Sequence, residues 1–434
     1  MRICWVTPLS LRSSIGRVSA GVTRELAARG HAVQILRCED QDDAAEALHA
    51  TALPVHHWRS YDLSRLRTEF DVVVVNIGDN YLFHGGVFAI LDAAPCLGIF
   101  HDFYLYNLFS GWLYYNGLDY RRHDAEIVAT YGPEAETHAV AVRSGQMPDM
   151  GEIARHVPMT EWLAARCEAA LAHANFYAAR LEAACPGPVE VTPLCCPDRA
   201  TPPGPPKAKG PLTVTTVGVM NPNKRVADVI RALGGSETLK ACVYRLVGPI
   251  LDEERARLEA VAAEVGFENL VIEGPVDDKT LDQRLDEADI ICALRKPVLE
   301  GASGSACEGM LSGRPTIVPR AGFYGELPDD LVFKIDGEIV IDELRAVLER
   351  LVGDQTLRRE TGKVARAWAL KTLNAARYAE TIERLAEVQI TSRPLLAVGR
   401  RIGGELNAMG LSAGDPAASR IGATLQKLFA PLEG

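Results

Sequence analysis

A stretch rich in proline and glycine, Thr201-Pro-Pro-Gly-Pro-Pro-Lys-Ala-Lys-Gly-Pro211, divides the chain into two parts that otherwise follow one plan. Proline has no backbone donor and glycine loses the most freedom on ordering, so the segment predicts a linker, not a helix or a strand. Before it, residues 3–6, 33–36, 72–75 and 96–100 are apolar strand-like runs, separated by helical patterns such as residues 20–29, which stop at Gly30. Val72-Val-Val-Val75 has no polar alternate and predicts a strand covered on both faces. Residues 121–166 read as mostly helical, broken at Pro133 and Pro158, and residues 189–194 as a last strand. After the linker, residues 212–217, 244–247, 270–272, 290–294 and 316–318 repeat the alternation. Strands alternating with helices build parallel sheets with helices on both faces. The expected fold is therefore α/β: two doubly wound, Rossmann-like domains facing across a cleft, with ligands at the carboxyl ends of the strands.

At 434 residues the chain is long enough for two domains, each with its own core. A net charge of −11 speaks against nucleic acid as a partner, since phosphate backbones are gripped by clustered Lys and Arg. The ten cysteines show no C-x-x-C spacing, and several, such as Cys292 in Ile-Ile-Cys-Ala-Leu, lie inside apolar runs. That usage predicts reduced core thiols in a reducing compartment. No stretch approaches the roughly 18 apolar residues of a membrane helix. The first residues read as a strand and not a signal sequence, interrupted by Pro8 and Arg12. A cytoplasmic protein is expected, with peripheral contact at the inner membrane or homo-oligomer contacts as candidate roles for the motif-free residues 389–434.

Chemistry concentrates in Glu300-Gly-Ala-Ser-Gly-Ser-Ala-Cys-Glu308, followed by Met310-Leu311 and Gly313-Arg-Pro-Thr-Ile-Val318. Ser303 is a candidate N-cap, and Gly304 lets a ligand approach a helix start whose first N–H groups have no partner. An anion is expected at Gly304 and Ser305. Glu308, about one turn into the helix, can accept both hydroxyls of a vicinal diol such as a ribose, and Glu300 can reach the hydroxyls of a hexose. Two acids flanking a diphosphate require a cation from elsewhere. The glycine spacing of residues 304–309 is that of a P-loop, but Met310 and Leu311 stand where Lys and Ser/Thr are needed. No G-x-G-x-x-G follows the first strand, which leaves a dinucleotide oxidoreductase without support.

The pair of glutamates, the Ser-Gly-Ser core, the Gly-x-Pro-x-Ile-Val run and the downstream Ala321-Gly-Phe-Tyr-Gly-Glu326-Leu-Pro-Asp-Asp330 together resemble the donor-site signature of the family-four retaining glycosyltransferases, closest to those that build bacterial surface polysaccharides. That resemblance implies the GT-B fold, with residues 1–200 as the acceptor-side domain, 201–211 as the linker, 212–366 as the nucleotide-sugar donor domain and 367–388 as a helix crossing back. It implies a sugar moved from a nucleotide-diphosphate sugar to a glycan or lipid-linked glycan, with no cofactor and no metal. In the family a Gly-Arg pair and a lysine grip the donor diphosphate. Here Gly218 and Lys224 keep their places but Val219 replaces the arginine, so Arg225, Arg295 or Lys296 is needed as the second cation. His101, at the end of a buried strand, corresponds to a histidine that points at the donor sugar. With Glu300 and Lys224 it completes the expected catalytic set. Gly16 and Ser14 resemble a loop that approaches the phosphate from the first domain. Asp102, Asn80, His84 and Tyr104 are candidates for the acceptor side, Asn80 and His84 within a segment similar to the subgroup's Gly-Asn-x-x-Tyr-His loop. Competing readings are a sugar-nucleotide epimerase or phosphorylase on the same fold, and a non-catalytic member of a polysaccharide assembly complex.

Overall fold

The two series of strands form two separate, wholly parallel sheets. The computed structural model describes residues 1–41, 46–147, 149–197, 211–411 and 415–429, so all of the expected linker except Pro211 lies outside the described residues. In the first domain β1 (Arg2–Thr7), β2 (Ala32–Arg37), β3 (Val55–His57), β4 (Val72–Ile77), β5 (Cys96–Phe100), β6 (Ala169–Ala172) and β7 (Val189–Val191) lie in the order β3-β2-β1-β4-β5-β6-β7. In the second, β8 (Thr213–Val217), β9 (Val243–Val247), β10 (Leu270–Glu273), β11 (Ile290–Cys292), β12 (Thr316–Pro319) and β13 (Phe333–Ile335) lie in the order β10-β9-β8-β11-β12-β13. Each sheet reverses its winding once, between β1 and β4 and between β8 and β11. Loops diverge at such a switch point and leave a crevice beyond the strand ends.

All six residues of β4 are buried, as the valine run predicts. β6 differs from its sequence signal: Ala169-Ala-Leu-Ala172 has helix-forming residues but is extended, because its backbone pairs with β5 on one side and β7 on the other. β3 and β13 are three-residue edge strands too short to leave a pattern, and they exist through pairing with β2 and β12.

The expected single crossing helix is two helices. The Gln355–Thr372 helix belongs to the second domain, where a Cβ on Gly362 would lie 1.9 Å from the Gly313 carbonyl, an approach only glycine permits. The chain turns at Leu373 and Asn374, and the Asn374 side chain caps the next helix by accepting from Arg377 N at 3.0 Å. That helix, Ala375–Ala408, returns to the first domain and buries Tyr378, Ala379, Ile382 and Leu385 with Ile3, Trp5, Val74 and Leu97. Each such large apolar side chain contributes roughly 1.5–3 kcal/mol. The other connection passes the same place, since Cys196 N donates to Leu373 O at 2.9 Å.

Beyond residue 390 the helix continues through Pro394 to Ala408. Tertiary ties hold it: Arg393 donates to Asp71 O at 2.8 Å, and the buried carboxylate of Glu168 receives both Arg393 and Arg400. All ten cysteines are free and buried. Among the described residues no helix is long and apolar enough to cross a membrane.

Candidate active site

The two switch points face each other across a cavity of about 560 Å³ lined by loops from both domains. Its second-domain wall is the loop between β11 and the Gly304–Leu311 helix. Ser303 has extended backbone and its Oγ accepts from Ala306 N at 3.3 Å, so the serine caps the helix start. A Cβ on Gly304 would meet nothing within 4 Å, and Gly304 and Ser305 both line the cavity. The amides of this first turn therefore open onto the cleft.

Glu300 is held from two sides, by Arg295 Nε at 3.0 Å and by the hydroxyl of buried Tyr324 at 2.6 Å, both on Oε1. Lys224 is buried, its Nζ 2.5 Å from the Val217 carbonyl. Burial, with the nearby Arg295, pushes its ammonium well below the ordinary lysine range, while Glu300 and Glu308 pull it back up. A desolvated ammonium with one protein acceptor is a strong site for an anion. Gly218 has a left-handed φ of 98°, and a Cβ there would stand 3.0 Å from Lys224 Nζ. Val219 lines the cavity with 58% exposure and brings no charge.

Of the three candidates for a second cation, only Arg295 lines the cavity. Arg225 takes a left-handed φ of 56° and turns its guanidinium onto Asp228 at 2.6 Å, outside the cleft lining. Lys296 pairs with Glu338 at 2.5 Å. Arg225 therefore does not stand where its donor-binding assignment requires, because the acid one helical turn ahead captures it. Glu308 faces the cleft, but its carboxylate receives Arg17 Nη1 at 2.7 Å. Burial pushes its pKa up and Arg17 opposes that shift.

From the first domain, His101 and Asp102 follow β5 into the cavity. His101 Nε2 lies 2.9 Å from Asn76 Oδ1 and its Nδ1 3.2 Å from Nε2 of His173, whose Nδ1 meets the Thr192 carbonyl. Burial pushes His101 well below its ordinary pKa and takes His173 and His84 to about 4, so these rings are neutral near pH 7. Asp102 is pushed up to about 7 by burial and, secondarily, by Glu300, against the Asp79 amide that donates to it at 2.8 Å.

A second cavity of about 330 Å³ adjoins on the first-domain side, lined by Gly78, Asp79, Asn80, His84 and Asp102 among others. Asn80 also caps its helix, accepting from Leu82 N at 3.0 Å, and His84 Nδ1 is bonded to the Asn76 carbonyl. Tyr104 is not there. It is 2% exposed within the core, with its ring beside Tyr106, while Phe109 and Trp112 just after it pack inward on Trp162. Gly16 is likewise a packing residue: a Cβ there would lie 2.6 Å from the Pro8 carbonyl, while Ser13, Ser14, Ile15 and Arg17 around it line the cavity.

Sequence reasoning overlooked Arg17, His173 and Asp79. His173 had a usable signal, a histidine just beyond a strand that pairs with β5. Arg17 had none, because its partner Glu308 lies in the other domain.

Residues 198–368 match the sequence family described as glycosyl transferases group 1. That match spans the second sheet, β8 to β13, and not the first. The whole two-domain chain is similar in fold to sucrose-phosphate synthase from Thermosynechococcus elongatus, with TM-score 0.63, 14% identity and coverage of 92% of this chain and 100% of that one. It is also similar to HepE of Anabaena in complex with UDP and glucose, with TM-score 0.59, 14% identity and coverage of 88% and 98%. WaaG, a glycosyltransferase involved in lipopolysaccharide biosynthesis, matches with TM-score 0.57, 16% identity and coverage of 88% and 99%. No curated protein matches the sequence significantly. The fold is thus that of GT-B glycosyltransferases.

Proposed function

We propose that the protein is a retaining, hexosyltransferase-like enzyme that moves a sugar from a nucleotide-diphosphate sugar to a glycan or lipid-linked glycan in bacterial surface-polysaccharide assembly, acting in the cytoplasm. One observation carries the reading: the helix start at Gly304 and Ser305 and the buried ammonium of Lys224 open onto one cavity that the first domain closes. That HepE is described in complex with UDP and glucose supports the same class of donor.

In this reading the diphosphate rests against Lys224, Arg295 and the helix start. Glu300, oriented by Arg295 and Tyr324, holds sugar hydroxyls, and Glu308 receives the ribose. His101, neutral and fixed on both ring nitrogens, forms the wall beside the anomeric carbon. As that carbon's bond to the phosphate oxygen breaks, its electron pair passes to the diphosphate. Charge then grows where the lysine and amides already point, so they stabilise the transition state more than the ground state. The acceptor hydroxyl enters from the side of Asp102, Asn80 and His84, forms the new bond on the same face, and gives its proton to the departing phosphate oxygen. The cations and amides do the work a divalent metal does elsewhere, and no cofactor takes part.

A panel of UDP-, GDP-, ADP- and TDP-sugars tests this by slow donor hydrolysis, with and without EDTA. The expected result is release of one nucleoside diphosphate, unaffected by EDTA, with the freed sugar first appearing as the donor's own anomer. An assembly protein shows neither turnover nor binding, and an epimerase returns an altered sugar without an acceptor.

A further inference from the structure

The second cation over the diphosphate has an unexpected counterpart in the first domain. Arg17 sits in the first turn of the Ser14–Ala28 helix and reaches across the cleft. Its Nη1 lies 2.7 Å from Glu308 Oε1 and its Nε 3.5 Å from Asp278 Oδ2, both acids of the second domain. The side chains of Arg17 and Glu308 are 21% and 20% exposed, so the pair is partly desolvated but open to the cavity. Glu308 is thereby occupied by a guanidinium at the position where a vicinal diol is needed. Glu308 and Gly304 are four positions apart on one helix, a little over one turn or roughly 6 Å along its axis. Rotation within an arginine side chain spans that distance. The cation is therefore about one turn from the amides of the helix start, in a cavity to which Val219 brings no charge.

We infer that Arg17 is a donor-positioning residue that exchanges partners: it neutralises Glu308 while the cleft is empty, and moves to the diphosphate when the ribose hydroxyls take Glu308. The inference rests on the nucleotide-sugar reading. It explains how the partly buried Glu308 is accommodated without a diol, since an unpaired desolvated carboxylate is costly. It also makes nucleotide affinity depend on approach of the first domain, because one phosphate ligand belongs to that domain.

The experiment compares UDP with uridine, and GDP, ADP and TDP with their nucleosides, by calorimetry on the whole protein and on R17A and R17Q. The preference for diphosphate over nucleoside is expected to fall about tenfold or more in both variants, a change of about 1.4 kcal/mol, while nucleoside affinity is unchanged or higher because Glu308 is released. Adding V219R to R17A is expected to restore the preference, since position 219 lines the same cavity and is exposed enough to accept the longer side chain. Equal weakening of nucleoside and diphosphate overturns the inference, as does an unchanged preference. A wild-type protein that binds none of the diphosphates instead removes the donor reading on which it rests.

Discussion

Asp102 and Glu300 lie opposite one another as an antiparallel bridge between the two domains. Around them Phe103 N and Tyr104 N donate to Leu299 O at 3.0 and 2.9 Å, and Gly301 N donates to His101 O at 2.8 Å. The loop before the Gly304–Leu311 helix is thus joined by main chain to the end of β5. The carboxylate expected to read the sugar and the one expected beside the acceptor are held in fixed register, without reliance on flexible ion pairs.

Gly301→Ala breaks that register. The new Cβ would lie 2.5 Å from Tyr177 Oη, which cannot retreat because it is buried, donates to Phe100 O at 2.7 Å and accepts from His173 N at 2.8 Å. A cost of about 1–3 kcal/mol is expected, with lost transfer activity. Thermal melting and donor turnover measure both, and a variant normal in each denies the bridge its role.

Glu300→Gln retains an acceptor for Tyr324 but ends the ion pair with Arg295. If Glu300 holds the sugar and not the nucleotide, kcat/KM falls roughly 100-fold while UDP affinity stays within about twofold. Steady-state kinetics with calorimetry separate the two, and a matching loss of UDP affinity moves Glu300 to the nucleotide.

Asp102 sets a pH dependence. Its folded pKa of about 7 lies above its ordinary 3.8, so the folded protein binds this proton more tightly than the unfolded chain. Its contribution to stability is full below 3.8 and is lost as pH rises through about 7. Asp102→Asn, always neutral, is expected to flatten this decline. Denaturant titrations from about pH 4 to pH 8 should show the variant gaining on wild type as pH rises, and parallel curves contradict the assignment.

Glu383 works in the opposite sense. Arg29 grips it at 2.6 and 2.8 Å and His31 at 2.6 Å, which together lower its pKa to about 2 from an ordinary 4.5. The stability it contributes is present above 4.5 and lost as pH falls through about 2. Glu383→Gln should cost about 1 kcal/mol at neutral pH, limited by solvent screening, and loosen the returning helix from the first domain. Melting at pH 7 in low and high salt checks this, since the deficit should shrink as salt screens the wild-type pair.

The alternating strand and helix patterns and the valine run at 72–75 determined two parallel sheets, because periodicity and composition act within a few residues. The donor loop was legible for the same reason: cap, glycine and both glutamates fall within nine consecutive positions. The alanine strand β6, the turn at Leu373 and Asn374, the inward burial of Tyr104 and the packing role of Gly16 were decided by tertiary structure, where neighbours override local preference. So was the choice of cation. Arg225, Arg295 and Lys296 look alike in sequence, but Asp228 and Glu338 capture two of them and leave Arg295 at the cleft. Arg17 meets Glu308 across 291 positions of chain, a contact set by the docking of two domains and by no local pattern.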